Sequence, residues 1–277
     1  MTLFLSFRSD PQAGSVLPDP LVLDADGLVD PPVFRATEFP ALAGREVVFA
    51  THGFNVNRTE GFHALARLER ELSLPQGSFL FVGVLWPGSW WLPVVNYPSE
   101  AGDAVSCGRS LARFIRSNVG SGSLSFVSHS LGARLVLETV KQLAFAPTRR
   151  AREVCVLAAA ADDDCLTTRQ YRSARTNAGR TSVLASRGDR VLELAYPAGD
   201  FLSDLFYDDD GPWRRALGYH GPHPFPEQYA LHAQIPGATY GHGDYLPPSD
   251  LSHPIGIQAK PIQWVREALL YLPHAWP

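Results

Sequence analysis

The strongest constraint on the fold lies between residues 46 and 186, where short unbroken apolar runs alternate with amphipathic stretches. Residues 46–51 (EVVFAT), 79–86 (FLFVGVLW), 123–127 (SLSFV), 154–161 (VCVLAAAA) and 181–186 (TSVLAS) read as strands. Residues 59–72, 99–117, 131–143 and 167–177 read as helices. In the first, Phe62, Leu65, Ala66, Leu68 and Leu72 recur near helical spacing. Strands that are apolar on both faces must be covered on both faces. Their alternation with helices therefore predicts an α/β fold with a mainly parallel sheet. Residues 2–8 and 33–39 read as two edge strands, joined by a Pro/Gly/Asp-rich connection through Pro32. These two are expected to make an antiparallel edge. Residues 229–235 read as a last strand and 262–272 as a terminal helix. The stretch 197–230, rich in Pro, Gly, Tyr, Trp and Asp, reads as a partial lid.

Composition narrows the class. With 277 residues, 45% hydrophobic and a net charge of −4, the chain has enough apolar matter for one large domain spanning 1–277, and too much for a disordered state. No apolar run approaches the ~18 residues of a membrane span. The apolar N-terminus lacks a preceding basic stretch and reads as a strand rather than a signal peptide. Cys107, Cys155 and Cys165 have no zinc-knuckle spacing and fit three reduced thiols in a cytoplasmic protein. Lys141 and Lys260 are the lysines among 24 basic residues. The arginines are scattered through an acidic chain, which argues against a nucleic-acid partner.

The chemistry concentrates at Ser128-His129-Ser130-Leu131-Gly132, between an apolar strand and an amphipathic helix. A serine on a tight strand-to-helix turn has its Oγ exposed, and small residues two before and two after it let strand and helix approach. Ser128 stands where Gly is usual. The helix that follows aims free N–H groups at a developing oxyanion. A serine nucleophile needs a base. Among nine histidines, His242 in Gly241-His242-Gly243-Asp244 is preferred, because flanking glycines would present it without crowding. His253 and His232 are the competitors. His129 is expected to point elsewhere, and His220 and His223 lack a third metal ligand at a persuasive spacing. The acid that orients the base follows a strand after the nucleophile helix. Asp189, preceded by Gly188 at a sharp turn, is preferred over Asp163 in the 162–164 acidic run. The second oxyanion donor comes from the loop Thr51-His52-Gly53-Phe54-Asn55. The N–H groups of Phe54 and Leu131 are the expected pair, with Gly53 near the substrate.

THGFN, LWPG, SHSLGARL, SRGDRVLEL and GHGDY occur in this order. Together they resemble the α/β-hydrolase superfamily, and within it a bacterial group with an HGYN-type oxyanion loop and an SHSMGAR-type elbow. Phe54 replaces the usual Tyr, and Gly88 a frequent Ser. The resemblance implies a serine hydrolase with Ser130, Asp189 and His242 as its triad and no cofactor or metal. A small acyl ester is the expected substrate, since an alkoxide leaves more easily than an amine. The aromatic stretch 86–97 offers Trp86, Trp90, Trp91 and Val94 as substrate-binding candidates. The alternatives are acyl transfer or interfacial lipid hydrolysis on the same triad, and a non-catalytic binding module on a hydrolase scaffold. The fold supports many chemistries, so the motifs leave the substrate open.

Overall fold

The structure, a computed structural model, describes residues 1–9, 15–88, 97–120, 122–145, 149–194, 215–225 and 230–277, with 97–100 as backbone only. Among them, nine strands form one sheet: β1 Thr2–Arg8, β2 Val16–Asp26, β3 Val33–Ala36, β4 Glu46–Thr51, β5 Phe79–Leu85, β6 Leu124–His129, β7 Ala151–Leu157, β8 Ala178–Ser186 and β9 Ala230–Ile235. Their order is β3-β2-β1-β5-β4-β6-β7-β8-β9. The helices are α1 Arg58–Leu72, α2 Tyr97–Asn118, α3 Gly132–Leu143, α4 Arg172–Asn177, the single turn α5 Leu217–His220, and α6 Ala259–Leu270. This is an α/β-hydrolase fold with a mostly parallel sheet, as expected.

The N-terminal edge differs from expectation. β1 lies inside the sheet and runs parallel to β5, and β2 alone is antiparallel to both its neighbours. The Pro/Gly/Asp-rich connection between the two expected edge strands holds the 11-residue β2. Pro18 and Pro20 hid it. They fall where the β1–β2 register slips between Ser6 and Arg8, a bulge that asks nothing of their missing N–H groups. The stretch 167–177 is helical only from Arg172, with turns before it. Within 197–230, residues 197–214 and 226–229 lie outside the described residues. The described remainder packs into the body: Ala216 bridges to Asp162, and the buried Leu217 donates its N–H to the Ala161 carbonyl.

Sequence dictates this packing locally. Asn57 caps α1 by accepting from the Glu60 N–H, while the Glu60 carboxylate accepts from the Asn57 N–H. The buried face of α1 sets Phe62 edge-on against Phe4 of β1, with ring centroids 4.7 Å apart. Each such fully buried side chain stabilises by about 1.5–3 kcal/mol.

The strand order also explains where a site can form. The chain steps from β4 outward to β5 and then back across β4 to β6. Right-handed crossovers in opposite directions put α1 and α2 on opposite faces of the sheet. The loops leaving β4 and β6 therefore diverge, opening a crevice at the carboxyl ends of these two strands.

Candidate active site

Ser130 sits at that crevice, immediately after β6. Its φ of 54° is in the left-handed region, which is uncommon for a non-glycine residue and sharpens the turn. Several bonds hold this conformation. The Ser130 N–H donates to Leu157, and its carbonyl accepts from the N–H groups of Ala133 and Ala160. Gly132 is required by space rather than dihedral freedom. A Cβ there would lie 2.5 Å from the His52 carbonyl oxygen. Ser128 is tolerated in place of glycine because its buried hydroxyl donates to the Cys155 carbonyl at 3.4 Å.

Three side chains from separate loops meet here. His242 Nε2 lies 2.7 Å from Ser130 Oγ, and His242 Nδ1 lies 2.8 Å from Asp189 Oδ2. A carboxylate only accepts, so Nδ1 carries the proton and Nε2 is free to accept from the serine. Asp189 is fully buried, and its other oxygen accepts from the Leu192 N–H at the start of the helical turn 190–194. This carboxylate therefore caps a helix and orients an imidazole together. Gly188 earns its place by close approach, since a Cβ would lie 2.7 Å from the Ala238 backbone. The competing Asp163 is engaged elsewhere. Its backbone bonds Arg215 and His223, and burial, with Asp164 next, raises its carboxyl pKa.

The loop carrying His242 is held from below. Arg67 of α1, 3% exposed, donates to the carbonyls of Pro248, Asp250 and His253 at 2.7–2.8 Å. The glycines beside His242 are not what presents it. Neither Gly241 nor Gly243 has a positive φ, and the nearest atom to a Cβ on Gly241 is 3.5 Å away. The turn is set instead by the Asp244 carboxylate, which accepts from the Gly241 N–H.

The β4 loop faces Ser130. A Cβ on Gly53 would lie 2.8 Å from Ser130 Cβ, so only glycine fits between them. Next to it is Phe54, and none of the turn, loop and cap hydrogen bonds of the described residues uses the N–H of Phe54 or Leu131. Leu131 occupies the N-cap of α3, where such N–H groups have no intrahelical partner. Leu131 directly follows Ser130, and Phe54 directly follows the glycine packed against it.

His52 fixes this loop. Its Nδ1–H donates to the Gly53 carbonyl at 2.8 Å, and its Nε2 accepts from the Trp86 N–H at 3.4 Å. Burial pushes its pKa down to about 3, so it stays neutral. Trp86, expected to contact substrate, is a correction. It is fully buried, stacks on His52 and donates its indole N–H to the His52 carbonyl, bracing the loop from within. Trp90, Trp91 and Val94 lie outside the described residues. Among the rejected histidines, His253 pairs with Asp250 on the surface, and His63 bonds the Gly27 carbonyl. The described residues hold no cluster of three metal-ligating side chains. Sequence reasoning missed the roles of Arg67 and His129. An arginine on the buried face of α1 was the available signal for the first.

A family model described as "Alpha/beta hydrolase of unknown function" (DUF900) matches residues 36–200. The chain belongs to this family. The matched region of this α/β hydrolase contains Ser130 and Asp189, and His242 lies beyond it. A search of curated proteins returned no match. Among solved structures, the carboxyl esterase 2 of Tuber melanosporum is 13% identical over 96% of this chain and 85% of its own, with a TM-score of 0.45. An esterase of Pyrobaculum calidifontis is 12% identical over 92% and 82%, with a TM-score of 0.44. No helix among the described residues is long and apolar enough to cross a membrane.

Proposed function

We propose that this α/β hydrolase cleaves a carboxylic ester through a covalent acyl-enzyme. The observation that carries the reading is the continuous Asp189–His242–Ser130 hydrogen-bond chain, at 2.8 and 2.7 Å. His242 takes the Ser130 proton as Oγ attacks the acyl carbonyl. The buried Asp189 holds the tautomer and stabilises the imidazolium that forms. The tetrahedral oxyanion accepts from the N–H groups of Phe54 and Leu131 beside the N-terminus of α3. His242 then protonates the departing alcohol. Water, activated by the same imidazole, releases the acid and restores Ser130. None of these steps calls on a cofactor.

The test is hydrolysis of p-nitrophenyl esters from acetyl to octanoyl, by wild type and by Ser130→Ala. The expected outcome is turnover that falls on the order of 10⁶-fold in the folded variant. Comparable turnover by the two proteins contradicts the mechanism.

A further inference from the structure

His129 takes no part in the proton transfers above, yet it touches both loops that complete the site. It is the last residue of β6, and Ser130 follows it directly. Its Nε2 lies 2.7 Å from the carbonyl oxygen of His242. A carbonyl only accepts, so Nε2 carries the proton and Nδ1 is left without one. The Nδ1 edge faces the other loop, 3.0 Å from where a Cβ on Gly53 would stand. The His129 and His242 ring centroids lie 4.9 Å apart, and the Tyr245 ring lies 6.1 Å from that of His129. One imidazole on the elbow therefore spans the gap between the β4 loop and the loop after β9.

We propose that His129 is a positioning residue, whose bond to the His242 carbonyl and contact with Gly53 set both loops at their distances from Ser130. Burial, and next the neighbouring His242, hold the His129 pKa down to about 3, so it keeps this one donor while His242 gains and loses a proton. The inference rests on the serine-hydrolase reading. It deepens that reading, because a base that shifts by an ångström loses its near-attack geometry.

Three variants separate position from packing. His129→Met fills the space without a donor. His129→Asn carries a donor that falls short of the His242 carbonyl. His129→Gln carries one at about the reach of imidazole Nε2. Kinetics on a p-nitrophenyl ester, the rate of covalent labelling by a fluorophosphonate, and the melting temperature are measured for each. The expected result is a kcat about 10–100-fold lower in H129M and H129N, with KM within about twofold. Labelling falls by the same factor, and H129Q recovers to within about fivefold of wild type. The proposal is overturned if folded H129M or H129N reacts like wild type, or if H129Q is as impaired as they are. H129N and H129Q decide the matter if H129M does not fold. An inert wild type instead contradicts the underlying serine-hydrolase reading, and the proposal falls with it.

Discussion

The two ends of the central sheet both bury polar groups, by opposite means. At the carboxyl ends of β4, β6 and β8 the polar groups are His52, His129, Ser130 and Asp189, held by directional hydrogen bonds to nearby loops. Two of the imidazoles there stay neutral through burial. At the amino ends of β4, β7 and β8 the groups are paired charges. The fully buried Glu153 accepts from Arg180 Nε at 2.6 Å, and Glu46 accepts from Arg152 at 2.8 Å. Both arginines also donate to the last carbonyls of α6, at Ala268 and Leu269, with the Tyr271 ring 4.5 Å from each guanidinium. The amino end cancels its charges on the spot and ties α6 to the sheet. The carboxyl end keeps His52 and His129 uncharged beside the proposed triad. On the proposed function, one end holds and the other reacts. Substitutions should therefore separate melting temperature from turnover.

After Ser130→Ala, the largest effect is expected at Asp189. Asp189→Asn should lower kcat about 10⁴-fold by favouring the wrong His242 tautomer, while Asp163→Asn changes activity little. Steady-state kinetics on one ester compares them, and a reversed result would move the acid to the turn after β7.

At the other end, Arg180→Ala strips the partner from a buried carboxylate. Such a loss costs about 3–5 kcal/mol of stability. Denaturant unfolding should register it, with kcat per folded molecule unchanged. A variant that melts normally but loses turnover would erase the distinction between the two ends.

The pH dependence of stability should carry opposite signs. The His52 pKa is lowered from 6.5 to about 3 in the folded state, so the unfolded chain binds the extra proton. Its contribution is fully present above pH 6.5 and is lost as pH falls toward 3, by up to about 1.4 kcal/mol per pH unit. Glu153 behaves the other way. Burial raises its pKa above the ordinary 4.5 despite Arg180, so its contribution declines as pH rises from 4.5 through the raised value. Unfolding titrations of His52→Asn should show the acid-side slope flattened by about one proton. An unchanged slope would mean that His52 does not stay neutral in the fold.

The smallest effect is expected beyond β5. If Trp91 lines an acyl pocket, each added CH₂ contributes at best about 0.8 kcal/mol, and activity rises from acetyl to hexanoyl esters. Trp91→Ala should flatten that rise and spare acetyl ester turnover. An unchanged chain-length profile would assign the residue to packing.

The sequence made some of this legible and hid the rest for physical reasons. β4 is an apolar run, and its observed bounds are those of the run read from the sequence. Ser130, Asp189 and His242 stand out in the sequence because each follows a recognisable strand or loop, and their side chains lie within hydrogen-bond distance of one another in the structure. Trp86 was misread because an aromatic residue at a strand end looks the same whether it faces a ligand or braces a neighbour. Only the His52 carbonyl bonded to its indole decides between them. β2 was lost because prolines in a bulge mimic a coil. The work of Arg67 and His129 was invisible because their partners are backbone carbonyls far along the chain, which leave no mark in composition.

In the proposed mechanism Ser130 is a nucleophile activated by His242 and Asp189. Incubation with a fluorophosphonate, followed by intact mass and peptide mapping, tests it most directly. The account predicts a single adduct on Ser130 in wild type, formed far more slowly in Asp189→Asn and absent from Ser130→Ala. An unlabelled wild type, or an adduct that persists in Ser130→Ala, would contradict it.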